Sequence, residues 1–126
     1  MKSVVTSVIL IAAVLWGSGI YTSKLTEVSQ ELIRINEEVQ ENLEKNDFVS
    51  ANARINEMSQ YLGEKEQILA AMGNHEEIDK IRMNLSELRR YANDEMCTDA
   101  LAKSEVLEFL YGHLPVNYKL KTENIL

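Results

Sequence analysis

From Ser3 to Ser23 the chain carries no charged side chain, and Lys2 and Lys24 close the stretch at its two ends. A helix rising about 1.5 Å per residue covers roughly 30 Å over that length, the thickness of a bilayer's hydrocarbon core. The stretch therefore predicts a single crossing of the lipid bilayer by residues 3–23. Its most hydrophobic part, Val4 to Trp16, also suits the apolar region of a secretory signal, with Gly17-Ser18-Gly19 supplying small residues for cleavage. A retained anchor is the expectation and a cleaved signal, giving a secreted body, the alternative, because the uncharged run continues through Ile20-Tyr21-Thr22. Lys2 and the α-amine precede the stretch, whereas Lys24 is soon followed by Glu27 and Glu31. That bias predicts a cytoplasmic N-terminus and an extracytoplasmic body at the cell membrane.

The chain has 126 residues, with 13 basic and 20 acidic side chains. Residues 1–23 form the expected anchor and residues 24–126 the expected body, long enough for one packed core. Every acidic residue and every basic one except Lys2 lies from Lys24 onward, so the body is strongly acidic. Phosphate backbones would repel it, which argues against nucleic-acid binding. Cys97 is the sole cysteine. It has no partner for an internal disulfide and reads as a partly buried thiol, leaving the fold to be held by packing.

Hydrophobic spacing in the body is helical throughout. Leu25, Val28, Leu32, Ile35 and Val39 alternate steps of three and four, one stripe along a helix that drifts to Leu43. Asn46-Asp47 supplies a turn and an N-cap. Phe48, Ala51, Ile55, Met58, Leu62, Leu69 and Met72 continue as a second helix over Phe48 to Met72, with Gly63 a point that bends or splits it. Asn74 and Glu77 make a capping box for a third stripe, Ile78, Ile81, Leu85, Leu88 and Ala92. Asn93-Asp94 or Thr98 punctuates before a fourth helix carrying Ala100, Leu107, Leu110 and Leu114, flanked by Leu101, Val106 and Phe109 and ending at Pro115. The expected fold is all-α: a transmembrane helix, then a small antiparallel bundle of about four helices in two hairpins. Asn46-Asp47 before Ala51 and Ala53 resembles Asn93-Asp94 before Ala100 and Ala102, a faint internal likeness of the two hairpins. Because the first stripe begins directly after Lys24, anchor and first bundle helix are expected to form one rod.

Chemistry-bearing constellations are sparse. In His75-Glu76-Glu77-Ile78-Asp79, His75 and Asp79 stand four apart on one face, so a metal with Glu76 as base would have His113 as its only further histidine. The plainer reading is a capped helix start with acidic groups at its positive end. Glu37, Glu38, Glu41 and Glu44 lie off the apolar stripe as a solvated face, answered in sign by Arg82, Arg89 and Arg90 within or between molecules. Met58, Met72, Met83 and Met96 read as core filler, and Tyr61, Tyr91, Tyr111 and Tyr118 as core-edge residues whose hydroxyls reach water. Nucleophile elbows and Gly-rich phosphate loops are absent. No catalytic set is complete and no cofactor is implied.

The segment His75 to Ile81, with Leu88, Tyr91, Ala100-Leu101-Ala102 and the closing Asn124-Ile125-Leu126, resembles an uncharacterised family. It is the short bacterial membrane-anchored helical proteins, mainly of Firmicutes, catalogued as domain of unknown function 4363. Members often carry Trp in the second helix, where this chain has none. The resemblance implies no reaction. It implies, through neighbouring genes, a YetF-like integral membrane partner.

Together these features predict a membrane-anchored interaction or accessory subunit without catalysis. Its contacts are expected at Leu25, Val28, Leu32, Glu76, Ile125 and Leu126, and a homo-oligomer is compatible with the pattern. An extracytoplasmic module sensing a small ligand or cation is the first alternative. A metal-dependent hydrolase built on His75, Glu76, Asp79 and His113 is the second.

Overall fold

The computed structural model describes the backbone of residues 2–71 and 75–125, and side chains over residues 3–16, 23–71 and 75–114. The described residues form five helices: α1 (Lys2–Glu44), α2 (Phe48–Glu64), α3 (Glu66–Ala71), α4 (His75–Asn93) and α5 (Cys97–Ile125). Helix α1 packs on α2 and α5, and α4 packs on α5 and α2, which closes an antiparallel four-helix bundle. The short α3 lies between α2 and α4. The chain is all-α, as its periodicity requires.

Each stripe faces the interior. Leu25, Val28, Leu32, Ile35, Val39 and Leu43 of α1 meet Ala51, Ile55, Met58 and Leu62 of α2, Ile78, Ile81, Leu85, Leu88 and Ala92 of α4, and Ala100, Leu107, Leu110 and Leu114 of α5 in one cluster. Leu25, Val28 and Leu32, expected at a partner surface, are 0%, 3% and 0% exposed. They are consumed by the protein's own core, because the stripe that begins after Lys24 is the same stripe that faces α2 and α5.

Both hairpins turn through one device. Asn46 adopts φ 57°, with its N–H donating to the Leu43 carbonyl at 3.0 Å and the Asp47 N–H to Asn42 at 2.8 Å. Glu95 adopts φ 57°, with its N–H donating to Ala92 at 3.2 Å and the Met96 N–H to Tyr91 at 2.8 Å. These are two Schellman endings, each with a left-handed residue past the helix. The internal likeness is therefore real but shifted: Asn46 corresponds to Glu95 rather than to Asn93-Asp94, while Ala51 still corresponds to Ala100.

The second predicted helix divides at Lys65, one turn-residue beyond Glu64 and two beyond Gly63. Met72 and Asn74, and with Asn74 the expected capping box, lie outside the described residues. The fourth helix does not stop at Pro115, since α5 continues to Ile125. Proline inside a helix deprives the carbonyl four residues earlier, here Tyr111, of its usual donor. The buried Ser29 hydroxyl of α1 donates to that carbonyl at 2.6 Å. One level further along, Asn36 Nδ2 donates to the Ser104 carbonyl at 2.8 Å and Ser104 Oγ donates to Asn36 Oδ1 at 2.7 Å. These bonds fix the register of α1 against α5, because a slip in either helix would bury unpaired polar groups.

Candidate functional site

The N-terminal part of α1 is the first exceptional surface. Val4, Val5, Val8, Ile9, Leu10, Ile11, Val14, Leu15 and Trp16 are all more than half exposed, on every side of the helix. Among the described residues no helix is long and apolar enough to cross a membrane, and residues 17–22, over which the expected span continues, lie outside those whose side chains are described. What stands clear is an apolar rod that none of the described side chains of the bundle covers.

The second is the seam between α2 and α4, the loosest of the bundle's four helix contacts. A cavity of about 310 Å³ opens there, lined by Leu62, Gly63, Leu85, Arg82 and Arg89 among others. A side chain at Gly63 would meet nothing within 4 Å. Toward the turn a second hollow lies against α4 alone, beside Ser86, Arg89, Arg90, Asn93 and Asp94. Arg82 pairs with Glu66 of α3. The Arg89 Nε is buried without a hydrogen-bond partner, and neither Arg89 nor Arg90 joins any ion pair among the described residues.

These arginines do not answer the acidic face of α1 within the molecule. Arg34 does, holding Glu31 at 2.5 Å, Glu38 at 2.8 Å and, across to α2, Glu57 at 3.8 Å, while Arg54 of α2 holds Glu57 at 2.6 Å and Glu38 at 3.7 Å. The Arg34 hydrogen bonds hold the Glu31 carboxyl below its ordinary range. These groups are largely solvated, so the network orients α1 on α2 more than it stabilises it. Glu37, Glu41 and Glu44 stay exposed and take part in none of these pairs.

The histidine constellation does not assemble. His75, Glu76 and Asp79 are exposed on the first turns of α4. The His113 Nδ1 lies 2.8 Å from the carbonyl of Phe109, one turn back on its own helix, with its ring against the Phe109 ring. No three His, Cys, Asp or Glu side chains gather in metal-ligand geometry among the described residues. Ile125 and Leu126, expected at a partner contact, fall outside the described side chains. Cys97 is half-buried as expected, and its thiol donates to the Leu43 carbonyl at 3.1 Å, tying α5 to α1.

Two expectations about large side chains are corrected. Tyr111 is fully buried, and its hydroxyl donates to Met58 Sδ at 3.1 Å rather than reaching water. Burial pushes its ionisation well above the usual phenol range. Met83 and Met96 are exposed, so of the described methionines in the bundle only Met58 fills the core. Met72 and Tyr118 lie outside the described side chains.

The seam escaped sequence reading because its basic residues come from the polar face of α4, and only the packing shows that α2 leaves that face open. The one signal available was the i, i+7 spacing of Arg82 and Arg89. The family described as Domain of unknown function (DUF4363) matches residues 20–125. No curated protein and no solved structure matches the chain.

Proposed function

The chain belongs to this family, and we propose that it is a single-pass membrane protein whose extracytoplasmic bundle serves as an interaction or accessory subunit of an integral membrane partner, without catalysis of its own. One observation carries the reading: α1 is a single helix of 43 residues whose first part is apolar on all sides and whose second part is the bundle's central wall. Apolar surface of that extent is unfavourable in water and calls for a cover of lipid or protein. The distribution of lysine about the uncharged stretch supports an internal N-terminus. A continuous helix shared by anchor and bundle keeps the body close to the membrane, within reach of an integral membrane protein. The family resemblance points the same way, to a YetF-like protein.

Alkaline extraction of membranes retains the full chain in the pellet, and protease added to intact spheroplasts digests the body. Detergent co-purification after crosslinking from residues 24–34 recovers an integral membrane protein. Recovery of the chain alone, or only of its own copies, sinks the accessory-subunit reading. The cavity between α2 and α4 favours a second reading, sensing of a small ligand, and its two arginines suit an anion better than the cation also expected. Thermal-shift measurements against metals and metabolites separate the two, since a ligand that binds only the folded state raises its melting temperature.

A further inference from the structure

We propose that the α2–α4 seam receives the acidic outer face of α1 from a second copy of the chain, so that anchored copies associate side by side in the membrane. The proposal rests on the anchor reading above and adds to it the partner of one surface. Each copy carries both halves of the contact. Arg89 lines the seam and Arg90 stands beside it in the adjoining hollow on α4; neither joins a described ion pair, and the Arg89 Nε is buried without an acceptor. Glu37 and Glu41 are exposed one turn apart on α1 and likewise join none. In the closed ring of helices α1 packs on α2 and α5, diagonal to α4. Its acidic row therefore points away from its own seam and can meet only the seam of another molecule.

The heights agree. Asn36 of α1 bonds Ser104 of α5, and Glu87 of α4 pairs with Lys103 of α5 at 2.6 Å, so residues 36 and 87 stand within about one residue of the same level. Counting about 1.5 Å per residue upward from that level, Glu37 stands at roughly 1.5 Å, Arg89 at 3 Å, Arg90 at 4.5 Å and Glu41 at 7.5 Å. The two arginines thus lie between the two glutamates. In free solution such a match would mean little, since single exposed ion pairs are weak. Copies that share one bilayer, each on a continuous helix, have their bundles held at similar heights, and confinement raises their effective concentration. Both bodies are acidic, but repulsion between their remoter charges is screened beyond about 8 Å at physiological salt. The two surfaces differ, so the contact is head-to-tail and extends into a ring or a row rather than closing as a two-fold dimer.

The test uses full-length chains in native membranes, in a Cys97→Ala background, with one tagged copy carrying Glu44→Cys and a second, differently tagged copy carrying Asn93→Cys. Both positions are exposed and stand near the top of the proposed contact, and Glu37, Glu41, Arg89 and Arg90 keep their charges. A short bismaleimide is expected to give severalfold more mixed dimer than the pair Glu44→Cys with Thr98→Cys, whose second site is exposed at a similar height on α5. Arg89→Glu with Arg90→Glu in the Asn93→Cys copy abolishes the product, and Glu37→Arg with Glu41→Arg in the Glu44→Cys copy restores it. Membrane-integral chains that crosslink no better than the control pair, or a charge reversal without rescue, overturn the contact alone and leave the anchor standing. Chains that alkaline extraction releases overturn the anchor reading, and the height match with it.

Discussion

Two residues with positive φ make the turns of the α1–α2 and α4–α5 hairpins, and they are not equally suited to the work. Asn46 tolerates the left-handed region through its short polar side chain, whereas Glu95 holds the same φ of 57° against the clash of its Cβ with the following carbonyl. Replacing Glu95 with Gly is therefore expected to stabilise the bundle by about 1 kcal/mol, and Asn46→Gly by much less. Denaturant midpoints of the two variants check this, and equal shifts would mean that the strain is not where the backbone places it. Asp47 caps α2 by accepting from the Ser50 N–H at 3.2 Å, and hydrogen bonding from the Ser50 side chain first, and from this N–H second, holds its carboxyl below the ordinary range. A carboxyl depressed in the folded state contributes stability above its unfolded pKa and loses it as pH falls through the folded one. The wild type should thus outlast Asp47→Ala at neutral pH, with the gap between their melting temperatures closing as pH drops into and below the carboxylate range. A gap that widens in acid would contradict the cap.

At the scale of helices, the buried bond from Ser29 to Tyr111 answers a specific defect. Pro115 leaves the Tyr111 carbonyl without its helical donor, and the neighbouring helix supplies one. Ser29→Ala is expected to cost about 1–3 kcal/mol, the penalty for a buried acceptor left unpaired. With Pro115→Ala also in place the N–H of residue 115 returns to that carbonyl, so the second change should recover much of the loss. Strict additivity of the two in a double-mutant cycle would show that they do not share the acceptor. The same pair marks where sequence reading ended. The stripes from Leu25 to Leu43 and from Ile78 to Ala92 were legible because apolar spacing at three and four has one physical meaning. Whether Pro115 ended its helix was not legible, since that depended on a serine 86 positions earlier standing within reach. Tyr111 escaped for a related reason: only a core holding Met58 opposite could take its hydroxyl away from water. The open seam beside Arg89 was a property of two helices failing to close, which no single helix records.

For the whole molecule the decisive contrast lies along α1. Up to Trp16 its large apolar side chains are exposed, and from Leu25 its stripe is wholly taken into the core. Every buried hydrophobic residue among those described lies at Leu25 or later, so the bundle does not draw its stability from the preceding rod. Residues 24–126 produced alone should therefore be helical and unfold cooperatively. Their melting temperature should lie within about 4 °C of that of the full chain in mild detergent, a difference worth less than about 1 kcal/mol for a domain of this size. The full chain, in contrast, should require detergent to stay dispersed, because the apolar side chains of its first turns are exposed. Circular dichroism melts of the two forms decide the matter. A shortened chain that is molten or loses helix well beyond the residues removed would mean that the rod is part of the folding unit, and the division of α1 into an exposed rod and a bundle wall would have to be withdrawn.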